Sequence, residues 1–250
     1  MAQIIEKKRI LVTGATGGIG KAIIRAYARP EVEFLLLGRD PVQMAAIVLS
    51  ARENGAAVTQ HVLDVREHDR FEFVLNEFQH EGPIDLALLA AGVKSGNNCG
   101  KEAPGQAKRV IDVNLQAVVF QVETLVGPMV ERGRGQIALF SSIAALDPQS
   151  DLLSYSATKA AIRAYAAALR RAIQGSGVTV HVITPGFVDT PMTQRHRGRA
   201  PFLISAEAAA SKIKRGLDRG EKYISFPFSL LILARINSFL PPALSDRLSL

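Results

Sequence analysis

With 250 residues, 48% of them apolar and 21% charged, the chain has ordinary globular composition and a length that one α/β domain can fill, which excludes disorder. The formal charge is +7 and the isoelectric point about 9.8, yet Lys and Arg are scattered, with small clusters only at Lys7–Arg9 and Arg195–Arg199. Trp is absent and no basic stripe carries interleaved aromatics, so a nucleic-acid surface is excluded and an anionic small molecule explains the charge better.

Cys99 is the only cysteine, which rules out an intrachain disulfide, and no His lies near it to build a metal site. No metal is expected. At the N-terminus, Ile4 and Ile5 run straight into Glu6, Lys7, Lys8 and Arg9, which is not a secretion signal, and a cytoplasmic location is the expectation.

The elements alternate. Ile10–Thr13 reads as a strand and Ile19–Ala28 as the helix after it; Phe34–Leu37 is strand-like, with a helix opening near Pro41. Val58–Val65 reads as a third strand and His68–Phe78 as a third helix. Leu86–Ala91 is a continuous apolar run, as expected of a strand buried on both faces. Two helices are expected next, around Gln106–Val113 and Leu115–Val130. Gln136–Phe140 gives a strand, Tyr155–Ile173 an Ala-rich helix and Val178–Thr184 another strand. Ser205–Arg219 reads as a helix capped by Ser205, and Lys222–Phe226 as a last strand. This alternation predicts one doubly wound domain over residues 1–250: a parallel sheet of about seven strands, helices on both faces, and ligands beyond the carboxyl ends of the strands.

Thr13-Gly14-Ala15-Thr16-Gly17-Gly18-Ile19-Gly20 falls where the first strand turns into the first helix. Glycines there let the backbone turn sharply and approach a pyrophosphate, which the helix N-terminus favours electrostatically. The spacing is Gly-x-x-x-Gly-x-Gly, not the commoner Gly-x-Gly-x-x-Gly. Where an NAD enzyme would present a carboxylate to the ribose, about 20 residues on, the chain has Gly38-Arg39-Asp40. A guanidinium can grip a 2′-phosphate, so Arg39 favours NADP over NAD, with Asp40 keeping NAD open and a solvated loop arginine as the plain alternative.

Tyr155-Ser156-Ala157-Thr158-Lys159 sets a phenol and an ammonium at i and i+4 on one helical face. A free tyrosine titrates near 10, and a fixed cation beside it favours the phenolate, so the pair can exchange a proton with a carbonyl oxygen. Thirteen residues upstream of Tyr155 comes Ser142, at the end of an apolar run and hence at the ligand-binding edge of a sheet; serines that merely cap the strand are the alternative.

Together with Asn114, these motifs resemble the short-chain dehydrogenase/reductase superfamily, in its branch of about 250 residues. The resemblance runs from Ile10 to about Lys222 and includes Pro185-Gly186 and Thr190. It implies a Rossmann-type fold, a homodimer or homotetramer, and a hydride transfer between NAD(P) and a carbonyl or alcohol carbon. Position by position, it makes Tyr155 the acid–base and has Lys159 lower its pKa and bind the nicotinamide ribose. Ser142 holds the substrate oxygen, and Asn114 anchors a water that relays protons to Lys159. Asp64 and Val65 would line the adenine site, and Pro185, Gly186, Val188 and Thr190 the nicotinamide end. One departure stands out: the family's Asn-Ala-Gly after the fourth strand is Ala90-Ala91-Gly92 here, with Ala91 and Gly92 still expected to contact the cofactor through the backbone.

Substrate choice is expected to rest on Val93–Pro104, Ala144–Leu153 and a lid over residues 187–204. The lid's Arg195, His196, Arg197 and Arg199 could attract an anion, although a solvated loop is the plainer reading. A carbonyl reductase or alcohol dehydrogenase is the reading preferred; a cofactor-binding regulator without turnover and a membrane-peripheral scaffold are the alternatives. The scaffold rests on the apolar extension 226–250, above all Phe226–Leu244 with Arg235 its only charge. Pro227 and Pro241-Pro242 leave Phe228–Leu240 free to be helical, too short to cross a bilayer. Such a surface should be covered by the substrate pocket, by a second subunit or by lipid. The expectation is that it packs in an oligomer and walls an apolar site, with peripheral membrane contact as the alternative.

Overall fold

The computed structural model describes residues 7–194, 200–241 and 243–245. Seven parallel strands form one sheet: β1 (Lys8–Thr13), β2 (Val32–Gly38), β3 (Ala57–Val62), β4 (Leu86–Leu89), β7 (Gly135–Phe140), β8 (Val178–Pro185) and β9 (Tyr223–Phe226). Their order is β3-β2-β1-β4-β7-β8-β9, so the chain starts at the centre, winds outward to β3, and returns through β4 to the other edge. The switch between β1 and β4 opens a crevice at the carboxyl ends of these strands, where doubly wound sheets bind ligands. A two-stranded hairpin, β5 (Asn97–Asn98) with β6 (Lys101–Glu102), lies outside this sheet.

The inner strands are apolar on both faces because helices cover both, whereas the edge strand β3 leaves Thr59 and Gln60 exposed. On β1, Ile10 and Val12 join one core with α1 (Gly18–Tyr27), α2 (Pro41–Glu53) and α8 (Ala206–Asp218). Leu11 joins the other, with α3 (His68–His80), α5 (Ala117–Glu131) and α6 (Leu153–Ala172). Phe34 and Leu36 against Leu35 and Leu37 repeat the alternation on β2. Each such side chain, fully buried, contributes about 1.5–3 kcal/mol.

The differences from the sequence expectation cluster near the crevice. The third strand ends at Val62, so Asp64 and Val65 lie on the connection to α3 instead of in the sheet. The fourth ends at Leu89, where Ala90 to Gly92 peel away over the β1–α1 turn. The two helices expected after it are one continuous helix, Gln106–Glu131, in which α4 (Gln106–Ile111) passes into α5 through a π-helical turn, Asp112–Gln116. That helix has the length and hydropathy of a membrane span, but Val118, Val122, Leu125 and Met129 are buried in the core, which accounts for its apolarity. Two further helices frame the site: α7 (Pro191–Gln194), within the expected lid, and α9 (Phe228–Phe239), which follows β9 directly.

Candidate active site

The β1–α1 turn is built by close approach. Gly14 has φ +69°, and a Cβ there would lie 2.7 Å from the Ala91 backbone nitrogen. Only glycine lets the end of β4 pass at that distance. At Gly18 a Cβ would come within 2.4 Å of the Thr190 side chain, so Thr190 packs directly against the start of α1. Gly17, at the N-cap, offers no side-chain cap to α1, which leaves the helix's first N–H groups and its positive end facing the crevice.

The crevice is an open cleft of about 1420 Å³, lined by Gly14, Thr16, Gly17, Gly18, Ile19 and Gly20 from that turn and by Ala91 and Gly92 from the end of β4. Arg39, Asp64 and Val65 line its far end, and Thr190 borders it from the lid. Thr13 lies beneath the floor, where its hydroxyl accepts from the Ala91 N–H at 3.4 Å. Two carboxylates border the far end, and both are engaged. Asp40 caps α2, accepting from the Gln43 N–H at 3.0 Å. Asp64 takes both arms of Arg66, at 2.9 and 3.0 Å, and this fork holds its carboxyl below the usual range. Arg39 approaches Asp64 at 3.7 Å, half-exposed, with its guanidinium at the cleft wall.

Where the cleft ends, β7 and α6 bring three side chains together. Ser142 and Tyr155 line a second cavity, and the Ser142 hydroxyl, whose oxygen accepts from the Ala144 N–H at 3.2 Å, lies on the side of the phenol where it favours the ionised form. Lys159, 5% exposed, lies one turn behind Tyr155; its Nζ is 5.5 Å from the Tyr155 ring and donates to the Phe140 carbonyl at 2.9 Å. The preceding residue, Ser141, faces α6 instead: its hydroxyl donates to the Lys159 carbonyl at 2.9 Å and ties α6 to the end of β7. Burial governs both titrating groups: it raises the Tyr155 phenol and lowers Lys159 to about 8. The depression of Tyr155 expected from its neighbouring cation does not govern the phenol here: burial raises it, and Ser142 is the group that opposes the rise.

Asn114 sits in the π turn, fully buried. Its side-chain Oδ1 accepts from the Val93 N–H at 2.8 Å and its Nδ2 donates to the Val93 carbonyl at 2.8 Å, with a longer donation to Thr158. The amide mimics a strand partner and pins the β4–α4 connection beside Lys159. Its side chain thus holds the Val93 backbone in place.

Residues 8–200 match the sequence profile of the short chain dehydrogenase family. The chain belongs to that family. An uncharacterised oxidoreductase of Myxococcus xanthus is 31% identical over 237 residues, 94% of each chain. Among solved structures, a short-chain dehydrogenase/reductase from Burkholderia phymatum in complex with NAD superposes with a TM-score of 0.85, at 20% identity over 93% of each chain. One from Sphingobium yanoikuyae in complex with NADPH gives 0.81, at 22% identity over 88% of each. These two likenesses concern the fold, an α/β Rossmann-type sheet.

In this dehydrogenase the second cavity is mostly apolar: Ile143, Ala144, Leu152, Phe187, Met192 and Leu230 surround Tyr155, and Gly186 completes the wall after Pro185. Leu230 comes from α9, so the C-terminal extension does wall the pocket. Val188 borders neither cavity; its side chain is buried in the core and its backbone bridges to Ile204. Arg195, His196, Arg197 and Arg199 lie outside the described residues. Sequence reasoning missed the supports of α6. Ser95 accepts from the Tyr155 N–H at 3.3 Å, and Glu102 accepts from Ser154 at 3.0 and 2.8 Å. Lys94, which reaches the pocket wall, was also missed. No local pattern marks Ser95 and Glu102, because each makes its hydrogen bond across 50 or more positions of sequence.

Proposed function

We propose that this protein reduces an apolar ketone or aldehyde at the expense of NADPH, or runs the reverse oxidation of a secondary alcohol. The observation that carries the reading is that Ser142 and Tyr155, with Lys159 buried one turn behind, stand where a glycine-floored cleft meets an apolar pocket.

The cleft suits a dinucleotide on this chain's own features. Its floor is a glycine turn too tight for a Cβ, and it faces the uncapped N-terminus of α1, where a pyrophosphate gains both N–H donors and dipole. Thr16, Gly17, Gly18 and Ile19 would hold that pyrophosphate, Asp64 and Val65 the adenine, and Ala91, Gly92, Pro185, Gly186 and Thr190 the nicotinamide end. When bound, the nicotinamide supplies the hydride. The Sphingobium relative holds NADPH and the Burkholderia relative NAD, so the preference must come from residues particular to this chain. Arg39 supports NADPH: it stands at the cleft wall, while Asp40 and Asp64 are occupied by the α2 N-cap and by Arg66.

Proton chemistry belongs to Tyr155. Because burial keeps its phenol protonated at neutral pH, Oη can donate a proton to the oxygen that gains charge as the carbonyl is reduced. The Ser142 hydroxyl, which lines the same pocket, donates to the same oxygen and orients it. Lys159, with a pKa of about 8, is mostly cationic at pH 7 and stabilises the phenolate that remains. Asn114 keeps the Gly92–Val93 backbone in register with these groups.

The test of the cofactor reading is a comparison of kcat/KM for NADPH and NADH. The wild type should prefer NADPH, and Arg39→Asp should erase or reverse the preference, a loss of about 1.5–3 kcal/mol for a charge-assisted contact. Equal or better use of NADH by the wild type contradicts it.

A further inference from the structure

We propose that α9 seats the protein on an anionic phospholipid surface. The inner side of this 12-residue helix is spent on the protein. Leu230 and Ala234 pack on Ile143, and Asn237 donates to Asp147 at 2.7 Å beside the turn that follows Ser142. The outer side is apolar and open: Phe228 is 69% exposed, Ile236 55% and Phe239 86%, with Ile232 and Leu233 between them. At 100° per residue these five positions fall in an arc of roughly 140°, opposite the buried three. A run of large apolar side chains on one exposed face of a soluble protein calls for a cover. At 1.5 Å per residue the helix is about 18 Å long, well short of the ~30 Å of a bilayer core, so it can lie in the interface but not cross.

Charge decides which cover fits. Phe228 and Leu231 form one wall of a surface groove whose other wall carries Lys212, Arg215 and Arg219, with Glu221 as the acidic member at 3.8 Å from Arg219. Arg163 and Arg170 stack over Tyr223 on the adjoining strand, and Arg235 edges the apolar arc. Apolar side chains framed by basic groups match the boundary between acyl chains and phosphate headgroups, where Lys and Arg are drawn to an anionic leaflet. A second copy of this chain, itself at +7, would bring like charge against like. Because α9 also walls the apolar pocket, docking would set that pocket beside the lipid phase. The inference does not depend on the reaction proposed above.

The experiment is co-sedimentation of the full chain with vesicles of phosphatidylcholine alone and of phosphatidylcholine mixed with phosphatidylglycerol, with light scattering on the same samples. Wild type should pellet with the mixed vesicles at least about tenfold more than with neutral ones, and salt should reduce this. Ile236→Glu with Phe239→Glu should abolish pelleting while leaving cofactor affinity and particle mass unchanged. Lys212→Glu with Arg215→Glu, on exposed positions of another helix, should weaken only the anionic component. Wild type that stays in solution with the mixed vesicles overturns the proposal, as does equal binding to both vesicle types. A fall in particle mass in the α9 variant overturns it in favour of a second copy.

Discussion

Lys159 is the residue on which sequence and structure bear most differently. The i, i+4 spacing shows that an ammonium stands near the phenol, but not that both are buried and that desolvation then governs how each holds its proton. Its depressed pKa has a consequence for stability. In the unfolded chain a lysine holds its proton to about 10.4, whereas in the fold Lys159 releases it near 8, so between these values the unfolded state binds more protons and stability rises with pH. Below pH 8 both states are protonated and the contribution is constant. Denaturant melts of the wild type relative to Lys159→Met should show the wild type gaining from pH 8 to 10, by up to about 1.4 kcal/mol per pH unit. A flat difference across that range means that Lys159 titrates as it does in water. Asn114 was visible only through the family resemblance, and its work as a clamp on Val93 became apparent once the π turn was seen.

Among the elements, the β1–α1 turn was the most legible and is the least replaceable. Gly14→Ala forces a β-carbon into a left-handed backbone and against the Ala90–Ala91 chain at 2.7–2.8 Å. The expected cost is more than about 2 kcal/mol, with cofactor affinity falling at least about tenfold because the turn must open. Denaturant melts and a cofactor titration check both; a variant of unchanged stability would mean that β4 does not press on this turn. Strands buried on both faces were legible because continuous apolar runs admit few other readings at that length. Their ends were not. Leu63–Val65 and Ala90–Ala91 are as apolar as the strands before them, and only the approach of neighbouring backbone decides where the ladder stops. The bent helix Gln106–Glu131 was read as two for a related reason: the π turn shifts the apolar stripe, and a shift in phase looks like a break.

At the scale of the whole molecule, strand–helix alternation was enough to give the doubly wound sheet, and the motifs fell where that sheet opens. What sequence could not give was the second cavity. Its walls come from the ends of β7, β8, α6 and α9 and from the lid, segments far apart in the chain that meet only when the sheet is wound. The apolar tail was expected to wall the site and does so through Leu230, while its outer face is exposed in the single chain. The central claim is that this junction of cleft and pocket transfers a proton through Tyr155 as the hydride arrives. The most direct measurement is NADPH oxidation by Tyr155→Phe and wild type on one apolar ketone, paired with NADPH titration of both proteins. Removing the hydroxyl should lower kcat by about a hundredfold or more and leave the NADPH Kd within about twofold, since the ring and the cleft are kept. A variant that retains more than about a tenth of the wild-type kcat, a loss below ~1.4 kcal/mol, would take the proton transfer away from Tyr155.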